Sequence, residues 1–344
     1  MFKSVLQAVI QQEVLTVEDA EKAMNIIMEG NASPSQIAGF LTALRLRGET
    51  VDEIVGFTRS LRSHMTTVNG IDTDTVDTCG TGGDAANTFN ISTASSLVVA
   101  SHGVKVAKHG NLAVSSKSGS ADVLKTLGVN IQQNADEARK ALAAYNMTFL
   151  FAPLYHQAMK HAVVPRKELG FRTVFNILGP LANPARCKRQ LIGVYDHEQA
   201  KKMASALRIL GSSHVMLVTG EDGLDEATIT GKTNVVELKN GDITTFQIHP
   251  EDFGLEVGSL KDIQSFTPEE SAQTIESVLL GKAHPSARNI VALNAGASLY
   301  VSGAAATLSE GVMLALETVQ TGNAYKQLER MKEAAGTEEE RTHA

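Results

Sequence analysis

From about residue 69 onward, short β-prone runs alternate with helical stretches, and this alternation limits the fold more than any other feature of the chain. The runs are Thr75 to Asp77, Val104 to Ala107, Thr148 to Phe151, Leu191 to Tyr195 and Val215 to Thr219. Between them, Thr93 to Ser101, Ala121 to Leu127, Ala135 to Tyr145 and Glu198 to Leu210 read as helices. Strands joined through helices return in the same direction, so the spacing predicts a parallel sheet with crossover helices. Ligands of such sheets collect beyond the carboxyl ends of the strands. Residues 235–247, centred on Asn240-Gly241, read instead as a hairpin with a type I′ turn.

The first 65 residues carry no strand signal. Phe2, Val5, Leu6, Val9 and Ile10 mark one buried helical face. Thr16 with Asp19, Ser33 with Gln36 and Thr50 with Glu53 have the spacing of helix starts, and Pro34 suits the first position of its helix. Ile37, Phe40, Leu41 and Leu44 form the inward face of the third helix, which Gly48 ends. Val163 to Lys188 interrupts the later alternation. It is rich in Arg and Lys, reads helical through Phe171 to Leu178, and carries turn residues in Gly179-Pro180 and Asn183-Pro184. This excursion is expected to pack back on the N-terminal helices. The expected division is therefore 1–68 with 163–188 as a helical domain, and 69–162 with 189–344 as an α/β domain. Pro268 to about Met331 reads mainly helical, and Gly336 to Ala344 as a fraying tail.

A chain of 344 residues accommodates about two domains. Its net charge of −7 argues against a nucleic-acid binder. Cys79 and Cys187 are too few for a disulfide framework or zinc site, and Cys79 reads as a small buried residue. Met1 to Val14 is amphipathic without a cleavage site, and no apolar run approaches the ~18 residues of a membrane span. A cytoplasmic protein without membrane contact is expected.

The chemistry concentrates in two loops. Gly80-Thr81-Gly82-Gly83-Asp84 closes the first strand and leads into Asn90-Ile91-Ser92-Thr93, a helix start crowded with N–H and hydroxyl donors. That arrangement suits phosphate oxygens, although a plain glycine turn and a helix cap share the composition. Lys108-His109-Gly110-Asn111 follows the second run and leads to Ser115-Ser116-Lys117-Ser118-Gly119-Ser120, a second donor-rich loop. Two such loops point to a substrate with more than one phosphate. Asp225-Glu226, after the Val215 to Thr219 run, is either a solvated turn or a carboxylate pair for magnesium, which prefers few carboxylates plus phosphate oxygens. Arg166 is either part of a solvated helix face or a fork for a carboxylate. His156 and His161 receive no assignment.

These motifs, with Asp77-Thr78-Cys79 before the first loop, Ala121-Asp122 after the second, Gly223-Leu224 before Asp225, Arg166-Lys167-Glu168-Leu169-Gly170, and Phe175-Asn176-Ile177-Leu178-Gly179-Pro180-Leu181-Ala182-Asn183-Pro184, resemble the anthranilate phosphoribosyltransferase family over nearly the whole chain. The resemblance implies a nucleoside-phosphorylase-like fold: a small all-helical domain plus a larger α/β domain with a mainly parallel central sheet, paired as a homodimer. It implies reaction of 5-phosphoribosyl 1-diphosphate with anthranilate, assisted by magnesium as two Mg2+ per subunit, in tryptophan biosynthesis. Carried over by position, Gly80, Gly83, Asp84, Thr88, Asn90, Ile91, Ser92, Thr93, Lys108, His109, Gly110, Asn111, Leu112, Ala113, Val114, Ser115, Ser116 and Ser120 would hold the donor. Gly80, Asn111 and Arg166 would meet anthranilate, and Ser92, Asp225 and Glu226 would serve magnesium. No acid or base is implied. Leu112 and Gln157 depart from the pattern, which commonly has arginine and proline there. A pyrimidine nucleoside phosphorylase and a catalytically silent nucleic-acid-binding relative are the alternatives.

Overall fold

This computed structural model describes residues 2–84, 86–113 and 118–342, with side chains as far as Glu333. Four helices come first: α1 (Phe2–Ile10), α2 (Val17–Met28), α3 (Pro34–Arg47) and α4 (Val51–His64). Their starts are set by the capping residues that the spacing predicts. The Thr16 hydroxyl accepts from the Asp19 N–H, and Ser33 and Thr50 complete reciprocal boxes with Gln36 and Glu53. Each such cap contributes about 1 kcal/mol. Gly48, at a φ of 83°, closes α3. Phe40 anchors the bundle, its ring centroid 5.6 Å from that of Phe2 and 5.9 Å from that of Phe57.

The remainder runs β1 (Val76–Gly80), α5 (Ile91–Ser101), β2 (Val106–Gly110), α6 (Ser120–Thr126), α7 (Ala135–Tyr145), β3 (Met147–Phe151), α8 (Ala152–Tyr155), α9 (Lys160–Leu169), α10 (Val174–Leu181), β4 (Arg189–Gly193), α11 (His197–Ile209), β5 (His214–Gly220), β6 (Thr233–Lys239), β7 (Asp242–Ile248), α12 (Pro268–Leu279), α13 (Pro285–Ser302), α14 (Leu308–Thr321) and α15 (Tyr325–Thr342). The strands form one sheet in the order β3-β2-β1-β4-β5-β6-β7. The first five in that order are parallel, and β6 and β7 add an antiparallel edge. Asn240 and Gly241 both have positive φ, 52° and 93°, as the type I′ turn between β6 and β7 requires. The strand order reverses at β1, between β2 and β4, which opens a crevice at their carboxyl ends.

Both faces of the sheet are covered. Met216 and Val218 of β5 join one apolar cluster with α5 and α13, whereas Val215 and Leu217 join a second with α10, α11 and the N-terminal helices. Phe40, Phe57, Ile192 and Leu207 thus share one core. α9 packs on α2 and α3, and α10 on α3, α4 and α11.

Three local expectations need correction. Lys108, His109 and Gly110 lie inside β2 rather than after it, because Thr78 O receives the Lys108 ammonium and Asp77 Oδ1 accepts from the His109 N–H. Gly179-Pro180 is the last turn of α10, and the chain turns at Asn183, whose Oδ1 accepts from the Ala185 N–H at 2.7 Å. α15 continues as helix past Gly336 to Thr342. Among the described residues no helix is long and apolar enough to cross a membrane.

Candidate active site

The bend after β1 is the centre of the crevice. Gly82 and Gly83 have φ of 69° and 85°, so glycine is needed at both. The Gly82 N–H donates to Asp225 Oδ2 at 2.6 Å, across 143 residues of sequence. Asp225 arrives on the loop after β5, and Asn294 of α13 pins that loop by accepting from and donating to Ala227, both at 2.9 Å. Gly193 makes the approach possible. A β-carbon there would lie 1.5 Å from the Asp225 carbonyl oxygen.

Asp225 and Glu226 are only partly exposed. Burial, then the charge of Asp84, pushes the Asp225 carboxyl up to about 7. Burial and Asp225 raise Glu226 well above the carboxylate range, with Lys108 opposing. The fully covered Lys108 ammonium donates to Thr78 O at 2.6 Å and Ser92 Oγ at 3.0 Å. Burial lowers its pKa, while Asp77 first, and then Cys79, Glu226 and Asp225, hold it up. Crowded carboxylates beside a serine hydroxyl are hard oxygen donors suited to magnesium. Among the described residues no group of three or more His, Cys, Asp or Glu makes a complete metal cage. A cation here would share its coordination with ligand oxygens and water, as magnesium does.

The start of α5 is tied to both loops. Asn90 does not cap its own helix; its Oδ1 accepts from Ser118 Oγ at 3.1 Å and Ser271 Oγ at 2.9 Å. Thr88 bridges to Gln264, Ile91 is in the core, and the buried Thr93 hydroxyl has no hydrogen-bond partner among the described residues. Asp122 fastens the second loop at two points, accepting from the N–H groups of Ala113 at 2.9 Å and Gly119 at 3.0 Å. Val114, Ser115 and Ser116 lie outside the described residues.

A cleft of about 450 Å³ brings together Gly80, Gly83, Ser92, Lys108, His109, Gly110, Asn111, Leu112, Ala113, Ser120 and Arg166. Asp84, Thr88, Asn90, Ile91, Thr93, Asp225 and Glu226 are not in its lining. Arg166 reaches the cleft from α9, its guanidinium 5.2 Å from the Phe175 ring centroid. Burial lowers its pKa, yet a guanidinium stays charged at neutral pH. Cys79 is a buried core residue whose thiol burial pushes well up, in keeping with an inert packing role. Leu112 and Gln157 line the same cleft.

The sequence reading gave His156 no role and missed its pairing with His109. The two rings are 5.1 Å apart in the cleft wall, and both Nε2 atoms are buried without a hydrogen-bond partner among the described residues. Burial, then His156, lowers His109 to about 3, and burial lowers His156 to about 4. Both are neutral at pH 7. Their unfolded value is about 6.5, so protons bind the unfolded chain first. The stability that they contribute is complete above about pH 6.5 and lost as pH falls toward 3, at about 1.4 kcal/mol per pH unit for each ring. Urea unfolding of His156→Gln between pH 7 and 5 is expected to show a shallower slope than the parent. Parallel slopes would remove this assignment.

Two family models match the chain: "Glycosyl transferase family, helical bundle domain" over residues 3–65, and "Glycosyl transferase family, a/b domain" over residues 72–325. Among curated relatives, the anthranilate phosphoribosyltransferase of Geobacillus kaustophilus is 59% identical, over 96% of this chain and 98% of its own. That of Bacillus subtilis is 52% identical over 95% and 97%. Among solved structures, the Thermus thermophilus enzyme superposes with a TM-score of 0.90 at 40% identity, covering 96% of this chain and 98% of its own. The Saccharomyces cerevisiae enzyme in complex with PRPP and Mg gives 0.89 at 30%, covering 98% of each. Neither the nucleoside phosphorylase nor the silent nucleic-acid-binding alternative is favoured by these likenesses. The helical bundle, the parallel sheet and the crevice at its strand-order reversal thus go with sequence identity over nearly the full length, and the chain belongs to the anthranilate phosphoribosyltransferases of the glycosyl transferase family.

Proposed function

We propose the following division of labour for the transfer of the phosphoribosyl group to the amine of anthranilate. The Gly80 to Asp84 bend, Thr88, Asn90 to Thr93, and residues 108–116 with Ser120 hold the diphosphate donor. Arg166 takes the anthranilate carboxylate, with Gly80 and Asn111 alongside. The observation that carries this reading is the Gly82 N–H, which already donates to a carboxyl oxygen, that of Asp225. A bend that receives a carboxylate oxygen is built to receive a phosphate oxygen.

Departure of diphosphate leaves positive charge on the ribose, so the site must mainly stabilise the leaving group and orient the nucleophile. The bend's N–H groups and the Lys108 ammonium supply the first. Arg166 supplies the second, turning the ortho amine toward the sugar. An aromatic amine is neutral at pH 7, so no side chain has to remove a proton before attack. The neutral His109 and His156 fit this, since they add no charge to the acceptor side of the cleft.

Ser92, Asp225 and Glu226 would hold magnesium, which would neutralise diphosphate charge. The yeast complex with PRPP and Mg supports its use. Two ions per subunit would be shared between Ser92, Asp225, Glu226 and the diphosphate oxygens. Exposed Ile10 and Leu46 on the N-terminal helices, with Val14 between α1 and α2, support a homodimer, and the net charge of −7 argues against nucleic acid. Residues 1–68 with 163–188 would act as one lobe closing on the other to exclude water. A cytoplasmic location remains part of this reading.

Arg166→Ala tests the acceptor assignment. Loss of a charge-assisted contact of about 1.5–3 kcal/mol is expected to raise the anthranilate KM by about 10- to 100-fold, with the donor KM changed less than about twofold. Anthranilate fluorescence, followed while the donor is varied, reads both constants. An unchanged anthranilate KM and kcat would reject the role.

A further inference from the structure

Arg172 lies outside every set of residues named so far. It stands in the segment between α9 and α10, directly before Thr173, whose N–H donates to Asn176 Oδ1 at 3.0 Å. Its guanidinium sits over the Tyr195 ring, 4.1 Å from the centroid. The same group presses on the diphosphate bend. A β-carbon at Gly83 would lie 2.8 Å from Arg172 Nε and 3.3 Å from Nη2. Tyr195 touches this bend as well, its N–H donating to Thr81 Oγ1 at 3.4 Å. Arg172 is half-buried, and among the described residues it forms no ion pair.

The bend is therefore gripped from two sides. On the sheet side Asp225 accepts from Gly82, and on the helical side Arg172 backs Gly83. The two grips differ in permanence. Asp225 holds the bend through one carboxyl oxygen, and that bond to the Gly82 N–H is given up if the carboxyl turns to a cation. The Arg172 contact makes no demand on the N–H groups of the bend. It needs only a planar cation stacked on an aromatic ring, which lysine cannot reproduce.

We propose that Arg172 is a donor-positioning residue: held on Tyr195, it backs the Gly82-Gly83-Asp84 bend so that the bend keeps its aim at the diphosphate when Asp225 releases Gly82. This rests on the reading of that bend as the donor site. It gives the segment between α9 and α10 a hold on the donor, next to the hold that Arg166 of α9 has on the acceptor.

Calorimetry with magnesium pyrophosphate, together with steady-state kinetics in both substrates, tests it. Arg172→Ala is expected to weaken pyrophosphate binding and raise the donor KM about tenfold or more, with the anthranilate KM within about twofold and the melting temperature close to the parent. Arg172→Lys keeps the charge but is expected to recover less than half of the loss. Parent-like pyrophosphate binding by Arg172→Ala, or full recovery by Arg172→Lys, overturns the proposal alone. Failure of the parent itself to bind magnesium pyrophosphate overturns the donor-site reading, and this proposal with it.

Discussion

Asp225→Asn combined with Glu226→Gln is expected to lower kcat/KM about a thousandfold, while the substrate-free chain melts no lower than the parent. The two halves of this result come from the same crowding. Asp225 is raised by burial and by Asp84, and Glu226 by burial, by Asp225 and by Asp84. Folding thus brings together carboxylates that repel. Amides remove the repulsion, and the Asn side-chain oxygen can still accept from the Gly82 N–H. Activity responds in the opposite sense. If the pair serves magnesium, its loss removes about 4 kcal/mol of charge stabilisation, which is about a thousandfold in rate. Stability gained at the expense of function is what a strained site predicts. Thermal melting without ligand and a magnesium titration of activity measure the two halves. An unaltered titration would reject the metal role, and a lower melting temperature would reject the crowding.

Gly193→Ala is the second large effect, and it works through the backbone. The new β-carbon would lie 1.5 Å from the Asp225 carbonyl oxygen, so either β4 or the Asp225 loop must shift. Neither moves freely. Gly193 pairs with Gly80 on one side and Val218 on the other, its carbonyl accepts from the Thr81 N–H at 2.9 Å, and Asn294 pins the loop. Overpacking of a fixed site costs about 3 kcal/mol. A displaced Asp225 also breaks the geometry of the bend, so kcat/KM is expected to fall about 100-fold or more. Gly231→Ala is the control. A β-carbon there meets nothing within 4 Å, its φ is not positive, and parent-like melting and rates are expected. Equal behaviour of the two variants would show that the close approach at Gly193 is unimportant.

These two sites mark where sequence reading succeeds and where it stops. Local signals were legible. Thr16, Ser33 and Thr50 start helices, and Asn240-Gly241 makes its turn, because each acts on residues within a few positions. The parallel sheet followed from the alternation of runs. The end of β2 was not legible, because a lysine and a histidine normally mark a solvated turn. Lys108 stays in the strand because Thr78 O and Ser92 Oγ receive its protons, and His109 because Asp77 Oδ1 accepts from its N–H at 3.1 Å. Gly179-Pro180 misled for a related reason: the α10 core contacts of Ile177, Leu178 and Leu181 carry the helix through a proline.

Within the site, spacing flagged the Gly80 to Asp84 bend and Asp225-Glu226 separately, but no pattern joined them. Their meeting depends on β1 lying next to β4, and on Gly193 admitting the loop. Arg172 carried no signal, since its partners Tyr195 and Gly83 are remote in sequence and meet it only across the fold. The His109 and His156 pair was hidden in the same way.

The most direct measurement is a crystal structure of the protein with 5-phosphoribosyl 1-diphosphate, magnesium and an unreactive anthranilate analogue. The account predicts diphosphate oxygens on the N–H groups of the Gly80 to Asp84 bend, a cation between them and Asp225 or Glu226, and the analogue's carboxylate on Arg166. Donor density elsewhere, with Gly82 still bonded to Asp225, would contradict it.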